Sequence, residues 1–507
     1  VVPWHLASHL EFPRVSTPRP AAVIVLAAGE GTRMKSSTPK VLHRIGGLTL
    51  VGHAIRAARE TGAEHVGVVV RHERDRVVEQ CTALDAGLVI ADQDDVKGTG
   101  RAVECGLEAL PADLSGTILV TYGDVPLLTG DTLVQLTVSH QESGSAVSVV
   151  TAHLDDPTGY GRVVRDAQGR VERIVEHKDA TADELALTEI NSGIYAFDAQ
   201  VLRAALAQVG TDNAQGEKYL TDVISIARDA GRPVRAHVIG DRLQTEGVND
   251  RVQLAELGRE LNRRVCERHM RAGVTIVDPA TTWIDVDVSI GQDATILPGS
   301  QLLGATSIGP DAVIGPDCTL TDTEVGAGAS VTRAVTNLAV IGAGATAGPY
   351  SFLRPGTELG AKGKIGTFVE TKNAHIGDGA TVPHLSYVGD ADIGEGTNIG
   401  AGTIFANYDG VAKHHSVIGS HSFVGSNSVV IGPVDVADGA YVAAGSTLTQ
   451  DVEPGEIAVA RGQQRNVSGW VARARHGTAT AVAAAAAQKA GERHPSPATT
   501  TAEGDQQ

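Results

Sequence analysis

The chain has 507 residues, of which 42% are hydrophobic and 20% charged, and carries a formal charge of -18. That length accommodates at least two domains, and so acidic a balance excludes a general nucleic-acid or membrane-surface binder, leaving any phosphate-bearing ligand to local basic groups. No apolar run approaches the ~20 residues of a membrane helix, which excludes a predicted span.

Taken in order, Val1 to Pro20 contains Pro3, Pro13, Pro18 and Pro20 without a signal-peptide core, and reads as a flexible arm. Ala21 to Ala28 (AAVIVLAA) is a continuous apolar run ended by Gly29-Glu30-Gly31-Thr32-Arg33, the pattern of a buried strand entering a glycine loop. Helical spacing follows over Leu50 to Ala58, then apolar runs at Val66 to Val70, Thr117 to Thr121 and Ala146 to Thr151 alternate with helical stretches. This rhythm predicts a doubly wound, Rossmann-like α/β sheet, whose ligands sit beyond the carboxyl ends of the strands. At those ends lie Leu26 to Lys40 (LAAGEGTRMKSSTPK) and Tyr122-Gly123-Asp124. The glycines of the first let backbone amides approach a phosphate, with Arg33 and Lys40 adding charge. The aspartate of the second serves either as a turn former or as a ligand for a hard cation bridging to a polyphosphate.

Val252 to Ala272 places Leu254, Leu257, Leu261 and Val265 on one helical face and stops at Gly273, predicting an amphipathic connecting helix. Beyond it, Ile284, Ile290, Ile296, Leu302, Ile308, Ile314 and Leu320 recur at an interval of six, as do Ile418, Val424, Val430, Val436, Val442 and Leu448. An even spacing keeps these on one side of a strand but scatters them around a helix. A hexad repeat with small residues two positions earlier (Ser300, Thr306, Ala312, Cys318, Ser416, Ser422, Ser428) predicts a parallel β-helix of about nine coils. The period fails between Ile399 and Ile418, where Asn407-Tyr408-Asp409-Gly410 and Lys413-His414-His415 intrude, the place for a loop on a binding face. Arg354, Lys372 and His384 cluster near it in sequence, and an imidazole there is either a surface residue or a proton acceptor. Cys81, Cys105, Cys266 and Cys318 have no CxxC spacing and fit a reducing, cytoplasmic setting without structural zinc. After Trp470 the chain turns to Ala, Thr and Gln with little to bury, predicting a disordered tail over 471–507.

Two resemblances sharpen this reading. LAAGEGTRMKSSTPKVL resembles the signature of sugar-1-phosphate nucleotidylyltransferases, and Gln93, Gly98-Thr99-Gly100, Tyr122-Gly123-Asp124, DDPTGYGR (155–162), VEHKDA (175–180), EINSG (189–193) and EGVND (246–250) follow in that family's order. The resemblance implies that Leu26, Ala27, Ala28, Gly29, Lys40, Gln93, Gly98, Thr99, Tyr122, Gly123 and Asp124 meet UTP. It places Gly161, Glu176 and Asn191 on the sugar, Asp124 and Asn249 on Mg²⁺, and Arg33 and Lys40 on the reacting phosphates. Lys97 stands where the family carries an apolar residue, so either the base pocket has an altered wall or this side chain is solvated.

FLRPGTELG, GTFVETKNAHIG, HLSYVGDADIGEGTNIGAGTI, NYDG and VGSNS resemble the acetyltransferase half of the bacterial bifunctional enzymes that are both N-acetylglucosamine-1-phosphate uridylyltransferases and glucosamine-1-phosphate N-acetyltransferases. What this implies is a left-handed β-helix assembled as a homotrimer, acting on acetyl-CoA, glucosamine 1-phosphate and UTP and feeding peptidoglycan and lipopolysaccharide precursor pathways. His384 becomes the general base, with Arg354, Lys372, Tyr387 and Asn398 on the sugar phosphate and Ala401, Asn407, Tyr408, Ser426, Ala444 and Arg461 on acetyl-CoA. Phe405-Ala406 departs from the threonine-cysteine pair often found there. The expected division is an arm (1–20), a uridylyltransferase domain (21–250), a linker helix (251–272), an acetyltransferase β-helix (273–470) and a tail (471–507).

Overall fold

The computed structural model describes residues 18–490; most of the predicted arm and the end of the predicted tail lie outside the described residues. The first half is built on nine strands: β1 (Ala22–Leu26), β2 (His65–Val70), β3 (Val89–Asp92), β4 (Thr117–Tyr122), β5 (Val147–His153), β6 (Arg162–Arg165), β7 (Val171–Val175), β8 (Glu189–Asp198) and β9 (Val234–Val238). They form one sheet in the order β9-β5-β8-β4-β1-β2-β3, with β6 joining β8 and β7 at its side. β1 is parallel to both β2 and β4, while β8 runs antiparallel between β4 and β5. The unbroken apolar run of β1 follows from burial on both sides. Val23 and Val25 pack on helix Leu50–Glu60 through Val51, Ala54 and Ile55, and Ile24 and Leu26 face Ala102, Val103 and Leu107 of helix Thr99–Glu108. The Leu50 helix begins where the Thr49 side chain accepts from the Gly52 amide at 3.0 Å, satisfying an otherwise unpaired first-turn donor.

Helix Arg251–Arg271 is capped by the Asp250 carboxylate, which accepts from Val252 and Gln253 N at 2.9 Å each. Its inward face carries Leu257, Val265 and Cys266 and one buried amide, Asn262, which bridges Thr282 O (2.7 Å) and Ile284 N (3.0 Å) of the first coil. A hairpin spanning 44–49 from the first half also reaches that coil, Val286 N donating to Gly46 O at 3.0 Å, and Arg56 of the Leu50–Glu60 helix pairs with Asp287 at 2.8 Å.

From Thr275 onward short strands wind as a parallel β-helix, each pairing in register with the next coil, as in Ile284 with Leu302, Ile290 with Ile308 and Ile296 with Ile314. The hexad aliphatics fill the inside almost without exception, and the small residues two positions before them are buried at the corners. The inner column continues where the six-residue period does not. Several coil sides are one residue shorter, and Thr336 and Thr371 take interior positions, each with its hydroxyl 2.8–3.0 Å from another threonine (Thr323, Thr357). Paired hydroxyls satisfy one another, so the interior tolerates them. The intruding loop lengthens one coil, so that Ile393 pairs with Ile418.

Up to residue 490 the tail departs from its expectation. Trp470–Ala474 and Ala479–Ala490 are helices packed on each other. Composition pointed to disorder because there is little to bury, but an alanine run has the highest intrinsic helix propensity and needs little burial to coil. Among the described residues no helix is long and apolar enough to cross a membrane.

Candidate functional sites

At the carboxyl ends of β1 and β4 the backbone itself joins the two predicted loops: Gly123 N donates to Leu26 O at 2.9 Å. Met34, buried against Leu50, Leu127 and Val248, anchors the glycine loop so that Arg33 and Lys40 project from a fixed base. Arg33 Nη2 donates to Asn249 Oδ1 at 2.9 Å, and Lys40 Nζ pairs with the Asp124 carboxylate while lying 3.5 Å from Asn249 Oδ1. Four residues spread over more than two hundred positions thus converge on one point. Among the described residues no group of three His, Cys, Asp or Glu forms a metal cage. Asp124 and Asn249 offer two oxygens, which fits Mg²⁺, an ion that takes one or two protein ligands and leaves the rest to water and substrate phosphates.

Two adjoining cavities flank this point. One, of about 450 Å³, is lined by Leu26, Ala27, Ala28, Gly29, Gln93, Gly98 and Thr99, with Lys97 and Arg71 at its margin. Lys97 is exposed there, and Gln93 Nε2 holds its loop by donating to Val96 O (3.0 Å) and Gly98 O (3.3 Å). The other, of about 380 Å³, lies over β6, β7 and β8. Arg162 is paired with Val175, so Gly161 stands across from Glu176, and Asn191 N donates to Gly161 O at 2.9 Å. Cross-strand register therefore brings the three expected sugar contacts side by side. Asn191 Oδ1 is fixed by Tyr195 OH (2.8 Å) and Gly193 N (3.0 Å). Gly193, at φ 79°, cannot be otherwise: a Cβ there would sit 2.0 Å from the Tyr122 ring. Burial pushes the Glu176 carboxyl above its ordinary range, with Asp179, Asp222 and Glu217 nearby adding to the shift and the Thr221 hydroxyl (3.3 Å) opposing it.

On the β-helix, Arg354 pairs with Glu370 at 2.8 Å. The Lys372 ammonium is held below its usual range by Lys413 beside it. Between them and the loop lies Asp390, which accepts from Asn373 (2.8 Å) and Asn407 (2.5 Å). Burial pushes its carboxyl up, but those donors and the two lysines outweigh it and hold it low. Asn407 Nδ2 also lies 3.5 Å from Tyr387 OH. Arg354, Lys372, Tyr387 and Asn407 therefore share one edge of a face, a dense cationic patch in an acidic protein. Ala401, Ser426 and Ala444 stack at another corner, with Arg461 close to Gly445 above them. His384 lies exposed below that column, its carbonyl accepting from Gly402 N at 3.1 Å. Asn398 lies in the same sheet as His384, a different one from that of Lys372 and Tyr387, and its Oδ1 accepts from Thr381 Oγ1 at 2.8 Å. Among the described residues no hydrogen bond joins His384 or Asn398 to the cationic edge. Phe405 is 1% exposed and fills the interior beside Val430, so the unusual residue enlarges the core and leaves the wall to Ala406.

The MobA-like NTP transferase domain family matches residues 23–186, and the bacterial transferase hexapeptide family matches 287–322 and 415–450. Over nearly the whole length the chain is similar to proteins named bifunctional protein GlmU. That of Kineococcus radiotolerans is 59% identical, covering 92% of this chain and 94% of its own. Those of Paenarthrobacter aurescens (58%; 93% and 95%) and Streptomyces avermitilis (57%; 94% and 99%) are similar to the same degree. The chain belongs to the bifunctional GlmU family. Its fold is accordingly a doubly wound α/β nucleotidyltransferase domain followed by a left-handed parallel β-helix.

Within this GlmU framework the geometry adds residues that the motifs did not single out. Lys413 was visible only as a basic residue in the intruding loop, and Asp390 and Glu370 only as unremarked members of longer motif runs. Tyr160 and Thr221 line the sugar cavity. Tyr160 sits inside the TGYGR run and could have been read from it, whereas Thr221 lies in a stretch, KYLTD, that carries no pattern of its own.

Proposed function

We propose that the chain is a cytoplasmic bifunctional enzyme that first transfers acetyl from acetyl-CoA to glucosamine 1-phosphate. It then couples the product to UTP, giving UDP-N-acetylglucosamine and pyrophosphate. The observation that carries this reading is the convergence of Arg33, Lys40, Asp124 and Asn249 between two adjoining cavities of about 450 and 380 Å³.

In the uridylyl step the sugar phosphate oxygen attacks the α-phosphorus in line and pyrophosphate leaves. No covalent nucleophile is required, because orientation and charge neutralisation lower the barrier. Glu176 and Asn191 hold the sugar hydroxyls, Gly161 lets the ring approach the backbone, and Gln93, Gly98 and Thr99 hold the base and ribose. Arg33 and Lys40 neutralise charge on the α-phosphate and the leaving group. Asp124 and Asn249 would hold Mg²⁺, which supplies further neutralisation of the polyphosphate when bound.

In the acetyl step Arg354 and Lys372 take the sugar phosphate, the arginine through its planar fork. His384 removes the proton from the 2-amino group as it attacks the thioester, the task of a general base. Ala401, Ser426, Ala444, Arg461 and the Asn407-Tyr408 loop receive acetyl-CoA.

His384 and Asn398 stand apart from the cations in one chain, so the acetyl site is completed by a second copy in a homotrimer. The corner below His384 supports this reading. Tyr350, Phe368 and Leu385 stack there at 57–60% exposure with left-handed backbones (φ 52–59°), beside Phe352 and Ile404. Exposed apolar columns of this size mark contacts between copies. One incubation with acetyl-CoA, glucosamine 1-phosphate, UTP and Mg²⁺, following free thiol and pyrophosphate separately, tests the whole reading: both must appear, and pyrophosphate must depend on acetylation.

A further inference from the structure

Between the two cavities of the α/β half runs the segment Lys218–Thr221. Its backbone is stitched to the nucleotide loop: Lys218 N donates to Lys97 O at 2.9 Å, Gly100 N to Lys218 O at 2.8 Å, and Leu220 N to Thr99 Oγ1 at 3.2 Å. The approach is close enough to demand glycine. At Gly98, φ 115°, a Cβ would lie 2.3 Å from the Lys218 carbonyl oxygen. Lys218 Nζ is itself held by Glu104 of helix Thr99–Glu108 at 2.9 Å. At the other end Thr221 is 4% exposed, and its hydroxyl donates to Glu176 Oε1 at 3.3 Å. A continuous path therefore joins Thr99, in the cavity for the nucleotide, to Glu176, in the cavity for the sugar.

We propose that Thr221 is a positioning residue for the sugar phosphate, aiming the Glu176 carboxylate and tying its placement to the nucleotide loop through Leu220 and Thr99. The inference rests on the reading that Glu176 accepts from the sugar. A mostly buried carboxylate with a single donor can turn about its last torsion, a soft, broad one. The Thr221 hydroxyl removes that freedom by engaging one oxygen and leaving the other to the substrate. Without it, Glu176 loses its aim and the hydrogen bond that opposes the effect of burial, and an acceptor is left unsatisfied in a buried place. Because Leu220 and Thr221 are consecutive, a nucleotide that fixes Thr99 also fixes the donor to Glu176. Each substrate then tightens the other by the same factor, as linkage requires.

The test uses the full chain and the variants Thr221→Val, Thr221→Ser and Glu176→Ala, with KM for both substrates, kcat, and calorimetric affinity for N-acetylglucosamine 1-phosphate with and without a non-reacting UTP analogue. Thr221→Val is expected to raise KM for the sugar phosphate about tenfold, leave KM for UTP within about twofold, and abolish the enhancement by the analogue. Thr221→Ser should restore all three. If the melting midpoint of Thr221→Val falls, Thr221→Ala repeats the measurement without the added methyl. An unchanged sugar KM in the hydroxyl-less variants, or an equal rise in both KM values, overturns the inference when Glu176→Ala does raise the sugar KM. An unaffected Glu176→Ala variant overturns the sugar assignment and the inference together.

Discussion

The two halves of the molecule solve the same problem, holding an anionic sugar phosphate in a protein of net charge -18, by different means. The α/β half assembles its cations within one chain. Strand ends and a buried methionine fix a loop, and Arg33, Lys40, Asp124 and Asn249 come into mutual contact without help. The β-helix half spreads its groups over the edges of a rigid prism, with the cations on one edge and the imidazole on another. A sheet with open ends can gather side chains from distant loops, whereas a coil stack can only place them at fixed heights and corners. We propose that the second arrangement is completed by assembly, whereas the first needs none.

That contrast can be broken most directly at the charged centre. Arg33→Ala should lower pyrophosphate release by about 10³-fold, in the range of losing a preorganised stabiliser of developing charge, while thiol release from acetyl-CoA stays at the parent rate. Wild-type-like pyrophosphate release would remove the assignment. His384→Ala is the mirror experiment, with thiol release down by about 10²–10⁴-fold, the usual contribution of a general base, and uridylyl transfer intact. Loss of both activities in a folded protein would contradict two separate sites.

A charge on the apolar corner separates the halves by assembly. Phe368→Asp, facing the stacked Tyr350 ring at 5.6 Å, should dissociate the proposed trimer in sedimentation and abolish acetyl transfer, while uridylyl transfer persists in the dissociated chain. A smaller effect concerns pH. Burial raises the Glu176 carboxyl, and its ionised form is the stronger acceptor for a sugar hydroxyl. kcat/KM for the sugar phosphate should therefore fall as pH drops through that raised value, with an acid limb above the ordinary glutamate range that Glu176→Gln erases. The least effect is expected from thiol reagents. Cys81, Cys105, Cys266 and Cys318 are all free and buried, and burial pushes the Cys81 and Cys266 thiols up to about 11. Neither activity should respond to iodoacetamide in the folded protein; rapid inactivation would point to an opening of the interior.

Much of this was legible in the residues. The apolar run of β1 announced a strand covered on both faces, and the six-residue interval announced the coils, because both patterns are direct imprints of burial. What remained hidden depended on distance. Nothing in Thr336 or Thr371 told of an inward position, since that follows from coil sides shortened elsewhere and from a second threonine one coil away. Lys413 gained meaning only when the loop brought it beside Lys372, and Thr221 only when Glu176 was found opposite its hydroxyl. The separation of His384 and Asn398 from the cations was equally invisible, because a motif records which residues occur and not which edge of a prism they occupy. The alanine-rich helix went the other way: composition weighs what a segment can bury, and intrinsic propensity decided instead.

The hairpin that reaches from the nucleotide-binding half to the first turn of the prism bears on how this protein can be dissected. Gly46 passes its carbonyl to the Val286 amide, only a few residues downstream of Lys40 in the chain. A fragment ending with the long connecting helix would strand that carbonyl and unmoor the segment that follows Lys40. The smallest piece that keeps the first half as it is in the intact molecule thus carries its neighbour's opening turn along with it, and any boundary drawn between the two cuts through a shared joint.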